Sequence, residues 1–262
     1  MRPFLLALLL FAAAPDCQAA QDLVTVPTRS GVTDSYLVIQ NKSATPKIVV
    51  IAFVGGFGAI DLAARSDELP LKSGPTTNFL IRVRNDLVDA DFAEVVVDAP
   101  SDKLPQGMSD GFRLGPDHLK DIRAVLADVK KRFPDAKVFL MGTISAAALG
   151  AKLGDAVQGT ILTTTVTNRD KQGSGLSTFN FASIGIPVLL VHHRDDGCPM
   201  SPYYNAERLS KSFPLISVSG GDPPQSGPCD PQSPHGYFGK DAPVAQAMKS
   251  WMLGREFPRE IR

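Results

Sequence analysis

The chain has 262 residues, and its 27 basic and 27 acidic side chains give a formal net charge of zero. The two signs are mixed along the chain, which argues against nucleic acid or an anionic membrane surface as a partner. The length suits one domain with a large core, and we expect residues 21–262 to form it.

The first 20 residues have the pattern of a secretory signal peptide. Arg2 gives a basic start, residues 4–14 are apolar, and the small pair Ala19-Ala20 ends a cleavage region. The apolar part is well short of the about 20 residues that span a bilayer, so we expect no membrane insertion after cleavage. The sequence therefore predicts a periplasmic or secreted protein. Lipidation of Cys17 is the alternative, and Pro15-Asp16 directly before it disfavours that reading.

Short apolar runs predict the strands of a sheet. They do not alternate with polar residues, which is typical of parallel strands buried on both faces. We also expect one or two antiparallel strands at the sheet edge, within residues 23–40. The six apolar runs are residues 48–53, 93–97, 138–141, 160–162, 188–191 and 215–218.

Helical patterns lie between these runs. The clearest covers residues 118–133, where apolar residues recur at spacings of three and four, with Asp117 as its cap and His118 on its polar side. The alternation of strand and helix predicts βαβ crossovers and a parallel sheet. Further helices are predicted at residues 78–88, 145–153, 203–211 and 242–253, and loops at 168–178 and 220–234.

Two carboxylates and a histidine follow strands late in the chain. The strand at 188–191 runs into Asp195 and Asp196, where the orienting acid of a Ser-His-Asp triad is expected. Counting from the strand end favours Asp196, and counting back from Cys198 favours Asp195, so Asp196 is the first candidate and Asp195 the second. His235 follows the last predicted strand, and a histidine there can act as a general base.

Glycines and cysteines near these loops indicate supporting roles. Gly55 and Gly56 follow the strand at 48–53 and can offer backbone N–H groups for an oxyanion hole, although an ordinary glycine turn is the alternative. Cys198 and Cys229 are the two cysteines that remain after signal cleavage. In an oxidising compartment we expect them to form a disulfide.

From residue 48 to residue 251 the chain resembles a family of secreted bacterial α/β-hydrolases. The resemblance implies an α/β-hydrolase-like three-layer fold with a mostly parallel central sheet, and serine-type chemistry. It also implies a Cys198–Cys229 bridge that ties the acid loop to the histidine loop. The residues that carry it are Phe53-Val54-Gly55-Gly56-Phe57-Gly58, the run from Val95 into Asp98-Ala99-Pro100-Ser101-Asp102, the stretch 192–198, and Cys229 followed by His235-Gly236-Tyr237.

The sequence departs from that family at the nucleophile. The family pattern after the strand at 138–141 is the elbow Gly-Thr-Ser-Arg-Gly, whereas this chain reads Gly142-Thr143-Ile144-Ser145. Ile144 stands in the serine position, as though about four residues had been lost. Ser145 in a shifted elbow is our candidate nucleophile. Thr143 at the strand end is an alternative, as is a plain helix-capping role for Ser145.

The sequence thus predicts an exported serine-type hydrolase that acts on ester or related acyl bonds of small molecules. Ser145 is the expected nucleophile, His235 the base and Asp196 the orienting acid. We expect no cofactor, and no metal site, because the adjacent His192 and His193 point to opposite faces of a strand and lack a third ligand. The alternative is a catalytically silent protein of the same fold, either a binding protein or a defective variant.

Overall fold

Nine strands form one sheet in the computed structural model, which describes residues 19–69, 77–169, 171 and 173–262. Most of the predicted signal peptide, residues 1–18, lies outside the described residues. The strands in chain order are β1 (Ala20–Arg29), β2 (Val32–Gln40), β3 (Ile48–Phe53), β4 (Phe92–Val97), β5 (Lys137–Gly142), β6 (Gly159–Thr163), β7 (Val188–His193), β8 (Leu215–Val218) and β9 (Glu260–Ile261).

The sheet is antiparallel at one edge and parallel elsewhere. Its order is β1-β2-β4-β3-β5-β6-β7-β8-β9. β1 pairs with β2 as an antiparallel hairpin, and β2 runs antiparallel to β4. Every later neighbour is parallel. The six predicted runs and the predicted edge strands are therefore confirmed, while β9 is an addition that the pattern did not indicate.

The helices pack on both faces of the sheet. Residues 78–88, predicted as one helix, form two short helices that meet at Val83. The long helix begins at Pro116 after Gly115, and Asp117 makes no capping hydrogen bond, so that predicted cap is wrong. Among the described residues no helix combines the length and apolarity needed to cross a bilayer. The helices are α1 (Phe79–Arg82), α2 (Arg84–Leu87), α3 (Asp110–Leu114), α4 (Pro116–Arg132), α5 (Ile144–Leu153), α6 (Tyr203–Leu209) and α7 (Asp241–Met252).

Two apolar cores, one on each face of the sheet, complete three layers. Alternate side chains of a strand point to opposite faces, so β3 contributes Val50 to one core and Ile51 to the other. The first core contains residues of α1, α2 and α7, and the second contains residues of α4, α5 and α6. The predicted fold class, a three-layer α/β fold with a mostly parallel sheet, is confirmed.

Candidate active site

The carboxyl ends of the parallel strands open onto a cavity of about 920 Å³. β3 leads to Gly55 and Gly56 at its wall, β5 leads to Thr143, and His235 reaches it from the loop after β8. Parallel strands all end at the same edge of a sheet, so residues far apart in the sequence meet there. The cavity is where the predicted functional loops converge.

The Asp196 carboxylate and the His235 imidazole form a hydrogen-bonded pair beside this cavity. His235 Nδ1 lies 3.1 Å from Asp196 Oδ2 and 3.3 Å from Oδ1. Because an ionised carboxylate only accepts, Nδ1 carries the hydrogen and Nε2 is the basic nitrogen. The His235 side chain is 20% exposed, and among the described residues its Nε2 has no hydrogen-bond partner. The geometry suits a base that takes a proton from a group in the cavity.

Asp196 is a buried carboxylate surrounded by donors. Its Oδ1 accepts from the Cys198 N–H at 2.9 Å, and its Oδ2 accepts from the Ser201 hydroxyl at 2.9 Å. His192 Nε2 lies 3.3 Å from Oδ2. Burial alone would raise the pKa of Asp196, but hydrogen bonds from His192 and His235 hold that pKa well below its usual value. Asp196 therefore stays ionised and orients His235.

The structure separates the two candidate acids. Asp195 is exposed, and its N–H donates to His193 Nδ1 at 3.0 Å. Asp196 alone of the pair contacts His235. Ser201, which the sequence reasoning did not single out, touches both Asp196 and His235, the latter at 3.1 Å. A serine just before a helix is typical of a helix cap. The position of Ser201 in the sequence therefore did not indicate that it contacts Asp196 and His235.

The histidine loop is fixed from both sides. His235 lies on a short 3-10 turn, Pro234–Gly236, where the Ser233 hydroxyl accepts a hydrogen bond from the His235 N–H at 3.2 Å. The next residue, Tyr237, is buried, and its hydroxyl donates to the Val191 carbonyl at 2.7 Å. This bond attaches the loop directly to β7, the strand that leads to Asp196.

A disulfide joins the acid loop to the histidine loop. Cys198 and Cys229 are bonded, with a Cα–Cα distance of 4.6 Å. Both half-cystines line the cavity, Cys198 buried and Cys229 exposed. Since Cys198 also donates its N–H to Asp196, the bridge lies one contact away from the Asp196–His235 pair.

The junction of β5 and α5 is a tight turn. Gly142 has φ +151°, and a Cβ there would lie 2.8 Å from the Phe53 carbonyl oxygen, so glycine is required. Thr143 follows with φ −109° and ψ −102°, and Ile144 begins the helix. Thr143 is half-buried and lines the cavity that His235 also lines. Within the described part of the chain its hydroxyl makes no hydrogen bond.

Ser145, the predicted nucleophile, is not brought to His235. Its side chain is 1% exposed and lies in the first turn of α5. Its hydroxyl accepts from Arg113 at 3.2 Å and lies 3.1 Å from His118 Nε2. The cavity wall contains Thr143 and Ile144, and the Ser145 side chain is not among the described groups that form it. The shortened elbow turns Ser145 inward, so the structure does not bring the predicted nucleophile to the predicted base.

His118 also departs from expectation. We expected it on the polar side of its helix, but it is 1% exposed and packs between the rings of Phe53 and Phe112. Burial, together with the charge of Arg113, lowers the pKa of His118 to about 3. The imidazole is therefore neutral at physiological pH and acts as a packing and hydrogen-bonding group.

The glycine loop, residues 54–58, supplies Gly55, Gly56 and Phe57 to the cavity wall. The Gly55 carbonyl accepts from the Gly58 N–H at 3.1 Å, and the Phe57 carbonyl accepts from the Met108 N–H at 2.8 Å. By contrast, the N–H groups of Gly55, Gly56 and Phe57 donate no hydrogen bond within the described residues. Backbone N–H groups that have no acceptor among the described residues are the kind of donor that binds a negatively charged oxygen.

Comparison with solved structures places this architecture among α/β-hydrolases. An α/β serine hydrolase without lid from Xanthomonas campestris has 14% identity and a TM-score of 0.56, over 90% of this chain and 94% of that chain. A dienelactone hydrolase from Anabaena variabilis has 12% identity and a TM-score of 0.57, over 91% and 99%. The esterase domain of a Rhodothermus marinus protein has 15% identity and a TM-score of 0.56, over 88% and 97%. No protein-family model and no curated protein matches the sequence. These likenesses establish the α/β-hydrolase fold.

Proposed function

We propose that this protein hydrolyses ester or related acyl bonds of small molecules, with Thr143 as nucleophile, His235 as general base and Asp196 as orienting acid. The observation that carries the proposal is the Asp196–His235 pair, because His235 lines the same cavity as Thr143. Neither His235 Nε2 nor the Thr143 hydroxyl has a hydrogen-bond partner among the described residues. The names of similar structures, an esterase domain and a dienelactone hydrolase, support the same reaction class.

The reaction follows the usual order of acyl transfer. Thr143 Oγ1 attacks the substrate carbonyl while His235 Nε2 takes the hydroxyl proton, and Asp196 stabilises the imidazolium. The N–H groups of the glycine loop and of Ile144, the residue after the nucleophile, bind the resulting oxyanion. His235 then gives its proton to the leaving alcohol. Water, deprotonated by the same nitrogen, attacks the acyl-threonine ester. The acyl–Oγ1 bond then breaks, His235 Nε2 returns the proton to Thr143 Oγ1, and the acid is released.

The cavity wall supports a substrate with an apolar part. Phe57, Met108, Phe112 and Val166 line it, and Phe57 is 77% exposed at its mouth. Apolar side chains with a few convergent polar groups are typical of small-molecule sites. We therefore propose an ester with an apolar acyl or alcohol group as the substrate.

We further propose that the protein is exported and acts in the periplasm or outside the cell. The support is the basic, apolar and small-residue pattern of the first 20 residues. Mass spectrometry of protein recovered from the periplasm and medium tests this proposal. A mature chain that begins at or near Gln21 is expected, and a chain that keeps Met1 and stays in the cytoplasm would contradict it.

A fluorophosphonate probe and p-nitrophenyl esters test the catalytic assignment. Thr143→Ala and His235→Ala should each lower ester turnover by at least about 100-fold, because each removes a group that acts in the chemical step. Thr143→Ser should retain turnover. Tandem mass spectrometry should locate the adduct on residue 143. The exposed serine variant Ser210→Ala is the matched control, and an adduct on Ser145 would refute the Thr143 assignment.

The second candidate is a catalytically silent protein of the same fold. The observation that favours it is the orientation of Ser145, whose hydroxyl is buried against Arg113 and His118. Inserting Ser-Arg-Gly-Thr between Thr143 and Ile144 separates the two functions. If the natural chain shows no labelling and the insertion creates labelling and turnover, the silent function is correct.

A further inference from the structure

Arg113 is a buried cation that pairs with no carboxylate among the described residues. It is 4% exposed, and burial lowers its pKa to about 10, so the guanidinium stays charged at neutral pH. A buried charge is costly unless it is compensated by hydrogen bonds or by a counter-ion. The hydrogen-bond partners that compensate this charge therefore indicate the role of Arg113.

Three of those partners are backbone carbonyl groups: two belong to the glycine loop, and the third belongs to Met108, whose N–H donates to the loop at Phe57. Arg113 donates to the Gly56 carbonyl at 2.8 Å, to the Val54 carbonyl at 3.5 Å and to the Met108 carbonyl at 3.4 Å. Its remaining partner is the Ser145 hydroxyl at 3.2 Å. A planar guanidinium fixes several acceptors at once, which a flexible ammonium does not.

The direction of the carbonyls determines the direction of the N–H groups. In a planar trans peptide group the carbonyl and the N–H of the next residue point in opposite directions. With the Val54 and Gly56 carbonyls held on Arg113, the N–H groups of Gly55 and Phe57 therefore point away from the guanidinium, and no described residue accepts them. The positive charge of Arg113 lies on the carbonyl side of these two peptide groups. It strengthens the same site for an anion, because charge interactions are stronger in a water-poor interior.

We propose that Arg113, anchored by Ser145, is a positioning residue that shapes the glycine loop into an anion-binding site. This inference rests on the proposed function, for which the anion is the oxyanion of acyl transfer. It also gives Ser145 a role: its hydroxyl links α5 to the guanidinium, and neutral His118 holds that hydroxyl from the other side.

The proposal can be tested by measuring the binding of two ligands that the protein does not hydrolyse. Hexylphosphonate supplies an anionic head and an apolar tail, and hexanamide supplies a neutral head with a similar tail. Arg113→Met should weaken hexylphosphonate binding by about 10- to 100-fold and change hexanamide binding by less than about twofold. Arg113→Lys keeps the charge but loses the planar fork, so it should recover only part of the affinity. Isothermal titration calorimetry measures both ligands.

Further variants keep the test decisive. Ser145→Ala should weaken hexylphosphonate binding by about three- to tenfold while the fold persists. This variant therefore tests the proposal even if Arg113→Met does not fold. Arg123→Met removes an exposed arginine of α4 and should change neither affinity. Equal loss of both ligands, full recovery by lysine, or no hexylphosphonate binding by the natural chain would overturn the proposal. Absent ester turnover with the expected binding pattern would contradict only the proposed function.

Discussion

Glu94 is a carboxyl in the middle of β4 with no exposure to solvent. Neither of its oxygens has a hydrogen-bond partner within the described residues. Burial raises the pKa of Glu94 well above its ordinary value, and the charge of Arg84 acts in the opposite direction. Folding therefore favours the protonated, neutral form of this side chain.

A pH dependence of stability follows from that raised pKa. Between the unfolded pKa, about 4.3 for Glu, and the higher folded pKa, the folded state binds more protons, so the Glu94 contribution to stability falls as pH rises. Each unit of raised pKa corresponds to about 1.4 kcal/mol. Glu94→Gln should thus lose less unfolding free energy than the natural chain between pH 5 and pH 8. Urea unfolding at both pH values measures it, and parallel losses would contradict the prediction.

At the residue scale, the sequence predicted that Asp196 and His235 meet, but not the direction of the Ser145 side chain. Asp196 and His235 follow strand ends, and strand ends of a parallel sheet meet at one edge, so chain order sufficed to pair them. The direction of the Ser145 hydroxyl depends on how a shortened elbow turns, and on Arg113 and His118 from other helices. That orientation arises from tertiary packing, which local spacing does not encode.

Gly142 sets the geometry of the β5–α5 element. Gly142→Ala should destabilise the protein by about 1–3 kcal/mol, because the new methyl group meets the Phe53 carbonyl at 2.8 Å in a backbone conformation that suits glycine. Gly185→Ala is the matched control, since Gly185 is exposed and a Cβ there meets nothing within 4 Å. Equilibrium urea unfolding compares the two, and equal stabilities would refute the role assigned to Gly142.

At the element scale, buried apolar runs and the long periodic helix were predictable, whereas β9 and α3 were not. The apolar run of β3 coincides with the predicted strand because all six of its residues are buried. β9 has only two residues and exists through its pairing with β8, so no periodicity reveals it. Likewise α3, which contains Arg113, has only five residues. A helical periodicity becomes recognisable only over several turns, so the sequence did not predict this helix.

At the scale of the whole molecule, the parallel core and the loops above it are stabilised differently. The strands carry two apolar cores, whereas residues 220–232 form a mostly exposed loop. The Cys198–Cys229 bridge closes a segment with a sequence separation of 31. For a loop of about 30 residues the chain-entropy model gives a stabilisation of roughly 3–4 kcal/mol.

Reduction of this bridge should therefore loosen the functional loops before the sheet unfolds. Cys229 is exposed, so a reductant reaches the bond in the folded protein. Hydrogen exchange should become faster at residues 194–200 and 220–232, because few buried apolar contacts hold them, and stay unchanged in β3 and β5. A Cys198→Ala, Cys229→Ala double variant treated with the same reductant serves as the control and should show no further change. Uniformly faster exchange across the sheet would instead mean that the bridge stabilises the whole domain as one cooperative unit.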